Sequence, residues 1–342
     1  MSRLAVRLPN WLGDAVLALR AVDALAAHAG ADGLVLIARP WAAVLFGERW
    51  PGASWLLAPG GGGGRWPLNV SALAAARAER IVLFPPSLSA RLHAFFARVP
   101  RRLGLAGETG GLLLTHHAPR AARGERHLED EYLDLARLAG AEPVLRQALL
   151  PTAAAAEAVR KGLAAEGLAQ AADVLVLAPG ARYGPAKRWP AERFAEVARR
   201  WALAAPGRAV VLAGGPEDAV ETRAVRAASA KGLPLHDWTG RTSLPELLAL
   251  VAACGGTLAN DSGVAHLAAA AGRPTVAIFG STDPRWTAPR GPHARVVTRP
   301  PACSPCFLRA CAIPDRYLCL RTIDDALVLG ALDDAQRAGS AA

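Results

Sequence analysis

No charge-free apolar stretch in this chain reaches the roughly 18 residues that a membrane-crossing helix needs, so no transmembrane helix is expected. No secretory leader is expected either, because Asp14 and Asp23 interrupt the apolar stretch near the N-terminus. Cysteines are few and odd in number, five, which does not suit a simple disulfide framework. Together these absences point to a soluble cytosolic protein. Aromatic residues make up only 6% of the chain, and lysine is nearly absent: three of the 39 basic residues are Lys and the rest Arg. The glycine run at 60–64 has no Gly-Lys-Ser/Thr ending, so it reads as a flexible loop and not a nucleotide P-loop. There is no Asp-x-Asp pair of the kind that holds a metal on a diphosphate.

What remains is a globular profile. At 342 residues the chain suits two domains of ordinary size, and its 52% hydrophobic content can fill sizeable cores. The net charge of +10 favours anionic partners: nucleic acid, an acidic membrane face or phosphorylated substrates. Arginine suits bidentate phosphate contacts. The alternative is an arginine-preferring genome with charge spread over solvated faces. No nucleic-acid-binding motif appears, so nucleic acid is not an expected partner.

Residues 4–8, 34–38 and 81–84 read as strands, with a polar turn after the first and a helix at 15–27. The pattern loosens through Pro143 and Pro151, which places a domain boundary near Pro151, giving domains 1–150 and 151–342. A helical stretch at 152–169 follows. Strands are then predicted at 174–178, 209–213, near Leu235, at 257–259 and at 275–279, with helices at 191–204, 217–230, 244–254 and 264–271. Strand–helix alternation implies parallel βαβ units, hence two doubly wound α/β domains with a cleft between them. Ligands of such sheets sit outside the carboxyl ends of the strands.

Three strand-following segments lie where that rule puts a site. In Asn10-Trp11-Leu12-Gly13-Asp14, Asp14 is either a general base or a helix cap or first-turn acid. The loop 179–190 carries Lys187, which either holds a pyrophosphate or is simply solvated; Trp189 there is expected to pack on the following helix. The turn Asn260-Asp261-Ser262-Gly263-Val264-Ala265-His266 opens a helix whose free N–H groups suit phosphates, or is merely a capped helix start with a structural His266.

In this order the three segments resemble glycosyltransferase family nine, the ADP-heptose transferases of lipopolysaccharide core synthesis. The stretches 178–192 and 260–284, with Cys303-Ser-Pro-Cys-Phe-Leu-Arg-Ala-Cys and the later Cys319-Leu-Arg, look particularly like its heptosyltransferase II branch. The resemblance runs from Leu4 to about Ile323. It implies two facing Rossmann-like domains, the GT-B architecture. The first would bind a lipid A-linked core oligosaccharide, and the second, whose last helix may pack back on the first, ADP-heptose. It implies inverting transfer of heptose from ADP-L-glycero-D-manno-heptose to heptosyl-Kdo2-lipid A, on a protein peripheral to the cytoplasmic face of the inner membrane. Asp14 matches the catalytic base and Lys187 the pyrophosphate-holding lysine. Asp261, Ser262, Gly263 and His266 match the donor turn, and either Glu217 or Asp218 the acid that contacts the ribose. Ser87 and Arg91 fall in the acceptor-side loop. Arg182 and Tyr183 replace the hydroxyl residues of heptosyltransferase I. Inversion by direct displacement needs one base and a stabilised leaving group, which Lys187 and a helix N-terminus can provide. Without Asp-x-Asp, transfer independent of metal and of any cofactor is expected.

Two features stand beside this assignment. Arg91, Arg98, Arg101 and Arg102, with Phe95 and Phe96, form a basic and aromatic cluster, read either as an acceptor or membrane contact or as a solvated helix face with core phenylalanines. Cys303, Cys306, Cys311 and Cys319 invite a zinc reading, but their spacing lacks two matched pairs and the resemblance includes no metal. The rival functions are heptosyltransferase I, a later core transferase and a non-catalytic nucleotide-binding protein.

Overall fold

The computed structural model describes residues 3–58, 66–107, 111–168, 170–313 and 316–340; the glycine run at 60–64 lies outside them. The chain divides into two compact units. The first runs to Gln147, a little before the expected boundary, and takes in Arg285–Thr287; the second holds the rest.

The first unit contains β1 (Leu4–Arg7), α1 (Leu12–Ala29), β2 (Leu34–Ala38), α2 (Pro40–Phe46), β3 (Ser54–Leu57), α3 (Trp66–Ala75), β4 (Arg80–Leu83), α4 (Leu88–Phe96), β5 (Arg101–Leu105), β6 (His116–Ala118) and α5 (Leu128–Leu138). Its strands form one sheet in the order β3-β2-β1-β4-β5-β6, with every pair parallel. The central strands are continuous apolar runs because helices cover both faces. Ala5, Val35, Ile81 and Leu83 pack on Leu73 of α3 and on Ala90 and Ala94 of α4. Leu4, Val6 and Val82 point the other way and are fully buried as well.

The second unit contains α6 (Ala153–Ala165), β7 (Val174–Ala178), α7 (Ala191–Ala204), β8 (Ala209–Leu212), α8 (Ala219–Ala228), β9 (Leu235–Asp237), α9 (Leu244–Ala253), β10 (Gly256–Asn260), α10 (Gly263–Ala270), β11 (Thr275–Phe279), α11 (Pro284–Thr287), β12 (Ala294–Thr298), α12 (Leu318–Arg321) and α13 (Asp325–Ser340). Its parallel sheet runs β12-β11-β10-β7-β8-β9. Counted from its own first strand this is the same order as in the first unit, so each sheet reverses direction once, between β1 and β4 and between β7 and β10. A doubly wound sheet opens its ligand crevice at such a switch. Leu175, Leu177, Phe194, Val197, Trp201 and Leu258 form the core. Val328 and Leu332 of α13 join that core, so the last helix packs on the second unit's own sheet, where its apolar face finds cover.

The predicted bounds of β2, β7, α7 and β11 are met. Two helices differ. Helix α1 starts at Leu12, because the backbone of Trp11 caps it and Gly13 tolerates the first turn. Helix α8 starts at Ala219, because Pro216 opens a separate 3-10 turn, Pro216–Asp218.

Candidate active site

In the second unit the β7–α7 loop and the β10–α10 turn leave adjacent strands side by side, since Ala178 pairs with Ala259 in register. Asn260, fully buried, ties the two together: its Nδ2 donates to the Pro179 carbonyl at 2.7 Å, and its Oδ1 accepts from the Trp189 amide at 3.0 Å. The loop tightens into a 3-10 turn, Pro185–Lys187. This brings the Lys187 ammonium onto the Asp261 carboxylate as an ion pair, and over the Tyr183 ring at 4.8 Å. Asp261 also accepts from the Thr282 hydroxyl at 2.5 Å. Thus Lys187, Asp261 and Thr282 form one connected group at the carboxyl ends of β7, β10 and β11.

Ser262 is the N-cap residue of α10, yet its side chain makes no cap bond. The hydroxyls of Ser262 and of Ser281 are buried without a hydrogen-bond partner. Buried hydroxyls at these strand ends, beside a helix N-terminus, can donate to a polar group. Gly263 is the first residue of the helix, and His266 is buried within it.

Glu217 and Asp218 part company. Asp218 accepts from the Gly215 amide at 3.0 Å, and burial pushes its carboxyl up from the usual range. It also lies over Gly180, where a Cβ would stand 2.1 Å from its Oδ1. Glu217 is exposed. Trp189 packs as expected: it is buried, meets Phe194 edge to face at 5.1 Å and donates its indole N–H to the Ile323 carbonyl at 3.1 Å.

The cysteine-bearing segment underlies this loop. The Ala186 amide donates to the Arg309 carbonyl at 3.0 Å, the Tyr183 hydroxyl donates to the Phe307 carbonyl, and the Phe307 amide donates to the Ser281 carbonyl at 2.7 Å. Gly184 has φ +150°, and a Cβ there would stand 2.5 Å from the Arg309 carbonyl oxygen, so only glycine allows the approach. All five cysteines are free thiols. Burial, then the neighbouring Cys306, Cys303 and Cys311, pushes the Cys319 thiol up to about 11. Among the described residues no group of three or more His, Cys, Asp or Glu is arranged to hold a metal ion.

In the first unit Asp14 is the third residue of α1, a half-buried acid in the first turn and not the cap, which is Trp11. Helix α5 packs along α1 and brings Tyr132 and Glu131 towards it. Tyr132 is buried edge to face on Phe84 at 4.9 Å, and burial, then Asp14, then Glu131, raises its phenol well above the ordinary value. Ser87 caps α4, accepting from the Ala90 amide at 3.4 Å. Arg91 is only 1% exposed and donates to the Leu105 carbonyl at 3.0 Å, joining α4 to β5. Phe95 and Phe96 are exposed, not core; Arg102 stacks over Phe95 at 5.5 Å and holds the carbonyls of Leu113 and Val99.

Two doubly wound parallel sheets, with a lysine–carboxylate pair at the switch point of the second, define an α/β protein of two Rossmann-like units. The sequence profile of glycosyltransferase family 9 (heptosyltransferase) matches residues 70–316, and the chain belongs to that family. Among its relatives, the lipopolysaccharide heptosyltransferase 2 of Salmonella typhimurium is 32% identical over 228 residues, 65% of either chain. The lipooligosaccharide heptosyltransferase 2 of Haemophilus influenzae is 31% identical over 64% of this chain and 65% of its own. These matches span just under two thirds of the relatives' length. The solved structure of E. coli ADP-heptose lps heptosyltransferase II is 28% identical, with a TM-score of 0.78 over 98% of both chains. The family 9 glycosyl transferase of Veillonella parvula superposes with a TM-score of 0.82 over 98% of this chain and 97% of its own; at 21% identity it speaks for the fold alone. The expected α/β fold, two Rossmann-like domains of GT-B type, is therefore established.

Asn260, named in the sequence only as part of its turn, and Thr282 and Ser281, not named there, are further functional candidates. The signal for the last two was their place: Gly280-Ser281-Thr282-Asp283 directly follows β11, a third strand end beside the other two.

Proposed function

We propose that this chain transfers heptose, with inversion, from ADP-L-glycero-D-manno-heptose to heptosyl-Kdo2-lipid A in the lipopolysaccharide inner core. The observation that carries the reading is the Lys187–Asp261–Thr282 group beside the unsatisfied hydroxyls of Ser262 and Ser281. It offers a cation and free donors where a leaving diphosphate gains charge. The likeness to the E. coli heptosyltransferase II structure over nearly the whole chain supports the choice of donor and acceptor.

In this reading the second unit binds the donor. Lys187 and the start of α10, at Ser262 and Gly263, meet the pyrophosphate, Asp261 holds Lys187 in place, and His266 backs the turn. Glu217 contacts the ribose, because Asp218 is already spent on the Gly215 amide. The first unit binds the acceptor. Asp14 takes the proton of the attacking hydroxyl as it adds to the anomeric carbon and ADP departs. Ser87 fixes the acceptor-side loop, and Arg91 braces it from beneath.

Mass spectrometry of the products formed from ADP-heptose and heptosyl-Kdo2-lipid A tests the reaction. One added heptose is the expected result. Transfer only to an acceptor lacking the first heptose would make the chain a heptosyltransferase I, and transfer to neither would refute the reading.

With Lys187 and a helix N-terminus facing the diphosphate, and no Asp-x-Asp pair in the sequence, the reaction is expected to proceed without a divalent metal. Activity should survive excess EDTA; loss on chelation with recovery on adding Mg²⁺ would overturn this.

No described helix is long and apolar enough to cross a membrane. We place the protein on the cytoplasmic face of the inner membrane through the exposed Phe95 and Phe96 and the neighbouring Arg98, Arg101 and Arg102. Sedimentation with anionic vesicles should fall several-fold in the Phe95→Ser, Phe96→Ser double variant; equal sedimentation would remove the membrane contact.

A further inference from the structure

The first unit gives most of its described arginines a partner. Arg49 pairs with Asp23 at 2.6 Å, Arg126 with Asp134 at 2.5 Å and Arg146 with Glu129, while Arg3 and Arg80 donate to the carbonyls of Ala76 and Ala139. Two of the exceptions stand at the carboxyl ends of adjacent central strands. Arg7 ends β1, and Arg39 follows β2 directly. Among the described residues neither guanidinium has a hydrogen-bonding or ion-pairing partner, and the Arg7 Nε is buried with none.

Arg7 lines a cavity of about 120 Å³ at the strand ends. Its other polar walls are His93 and Asn69, and its apolar walls include Trp55, Leu57 and Leu73. Burial, then the charge on Arg39, lowers the Arg7 guanidinium to about 10, so it stays charged at neutral pH. Burial and then Arg7 lower the His93 imidazole, which keeps that ring from adding a further cation.

An ionised guanidinium in an apolar cavity without a counter-charge is expensive, by several kcal/mol for a fully buried ion. A long side chain can escape this cost by snorkelling its head into water. Here the Nε stays buried, and the second unpaired arginine stands at the neighbouring strand end. A cavity of this size is far below the roughly 300–1,000 Å³ of sites that hold a drug-sized ligand. It admits one small anionic group and a few attached atoms.

We propose that this cavity is an anion subsite for the acceptor, in which Arg7, assisted by Arg39, pairs with a carboxylate or phosphate carried by the acceptor saccharide. The inference rests on the acceptor reading of the first unit. The missing counter-charge of Arg7 comes from the ligand, and Trp55 offers a flat apolar face to the sugar bearing it.

The test measures the thermal unfolding midpoint of the full chain while titrating two probes, inorganic phosphate and a Kdo disaccharide with two carboxylates and no phosphate. Wild type is compared with Arg7→Met, Arg7→Lys and Arg39→Met. Without anion, Arg7→Met should unfold no lower than wild type, because it removes an unpaired charge and keeps the apolar stem. A saturable rise with one probe is expected in wild type, weakened about tenfold or more in Arg7→Met and less in Arg7→Lys and Arg39→Met. ADP should shift every variant alike. A response to the disaccharide alone assigns a carboxylate, and to phosphate alone a phosphate. No saturable response of wild type to either probe, or an undiminished response in Arg7→Met, overturns the subsite. Should Arg7→Met fail to fold, Arg7→Lys and Arg39→Met carry the same comparison. The transfer assay reports separately: heptose transfer by wild type with an anion response independent of Arg7 loses only this inference. An Arg7-dependent response without transfer keeps the subsite and moves the acceptor.

Discussion

Asp14→Asn should lower the transfer rate about 100- to 10,000-fold, the range expected for loss of a general base, while ADP still binds. Asparagine keeps the size of the side chain and its place in the first turn of α1, but cannot accept the proton of an attacking hydroxyl. The positive end of α1 favours the ionised carboxylate, so the same change should cost no more than about 1 kcal/mol of stability. That separation makes the variant informative. A large loss of turnover with an unchanged melting midpoint and unchanged ADP affinity assigns the base. Undiminished transfer would leave Asp14 as a first-turn acid and nothing more.

Lys187→Met should cut turnover about 100- to 1,000-fold, as removal of a single donor to a developing oxyanion does, and weaken donor binding as well. This variant has a structural side effect. Asp261 has only 4% of its side chain exposed and would lose its cation. Stranding a buried carboxylate costs about 3–5 kcal/mol, less here because Lys187 itself reaches solvent and Thr282 still bonds to Asp261. The Lys187→Met, Asp261→Asn double variant resolves the two effects. It should regain most of the lost stability and none of the activity. Recovery of transfer in the double variant would show that Lys187 serves only to neutralise Asp261. Two residues in one ion pair are expected to be non-additive in this way.

The central strands were legible because they are unbroken apolar runs bounded by turn residues. Val174–Ala178 and Thr275–Phe279 lie in the structure where their composition puts them. The edge strands β3, β6 and β12, and β5 next to β6, were not, since they are short, partly exposed and, in β5, begin with two arginines. The start of α1 was masked by Pro9, Asn10 and Gly13, which read as a turn. Among the candidate residues, the chemical types of Asp14, Lys187 and Asp261 stood out by their position after strands. Their relations did not. That Lys187 meets Asp261 follows from the register of β7 on β10, which no local pattern encodes. The same holds for Arg7. As one arginine among 36 it carries no signal in the sequence; only the structure shows its Nε buried without a partner in a cavity wall.

The grip of the 303–311 segment on the loop after β7 is made largely through main-chain atoms. The Ala186 amide and the Tyr183 hydroxyl both hold carbonyl oxygens, at Arg309 and Phe307. Side-chain identity at those two positions is therefore nearly irrelevant to the hold, whereas the path of the chain is decisive. Over evolutionary time a position such as Phe307 can exchange its side chain and keep this bond, but the segment cannot gain or lose a residue without pulling the carbonyls out of step with the loop. Insertions and deletions, and not substitutions, are the changes that purifying selection should purge here.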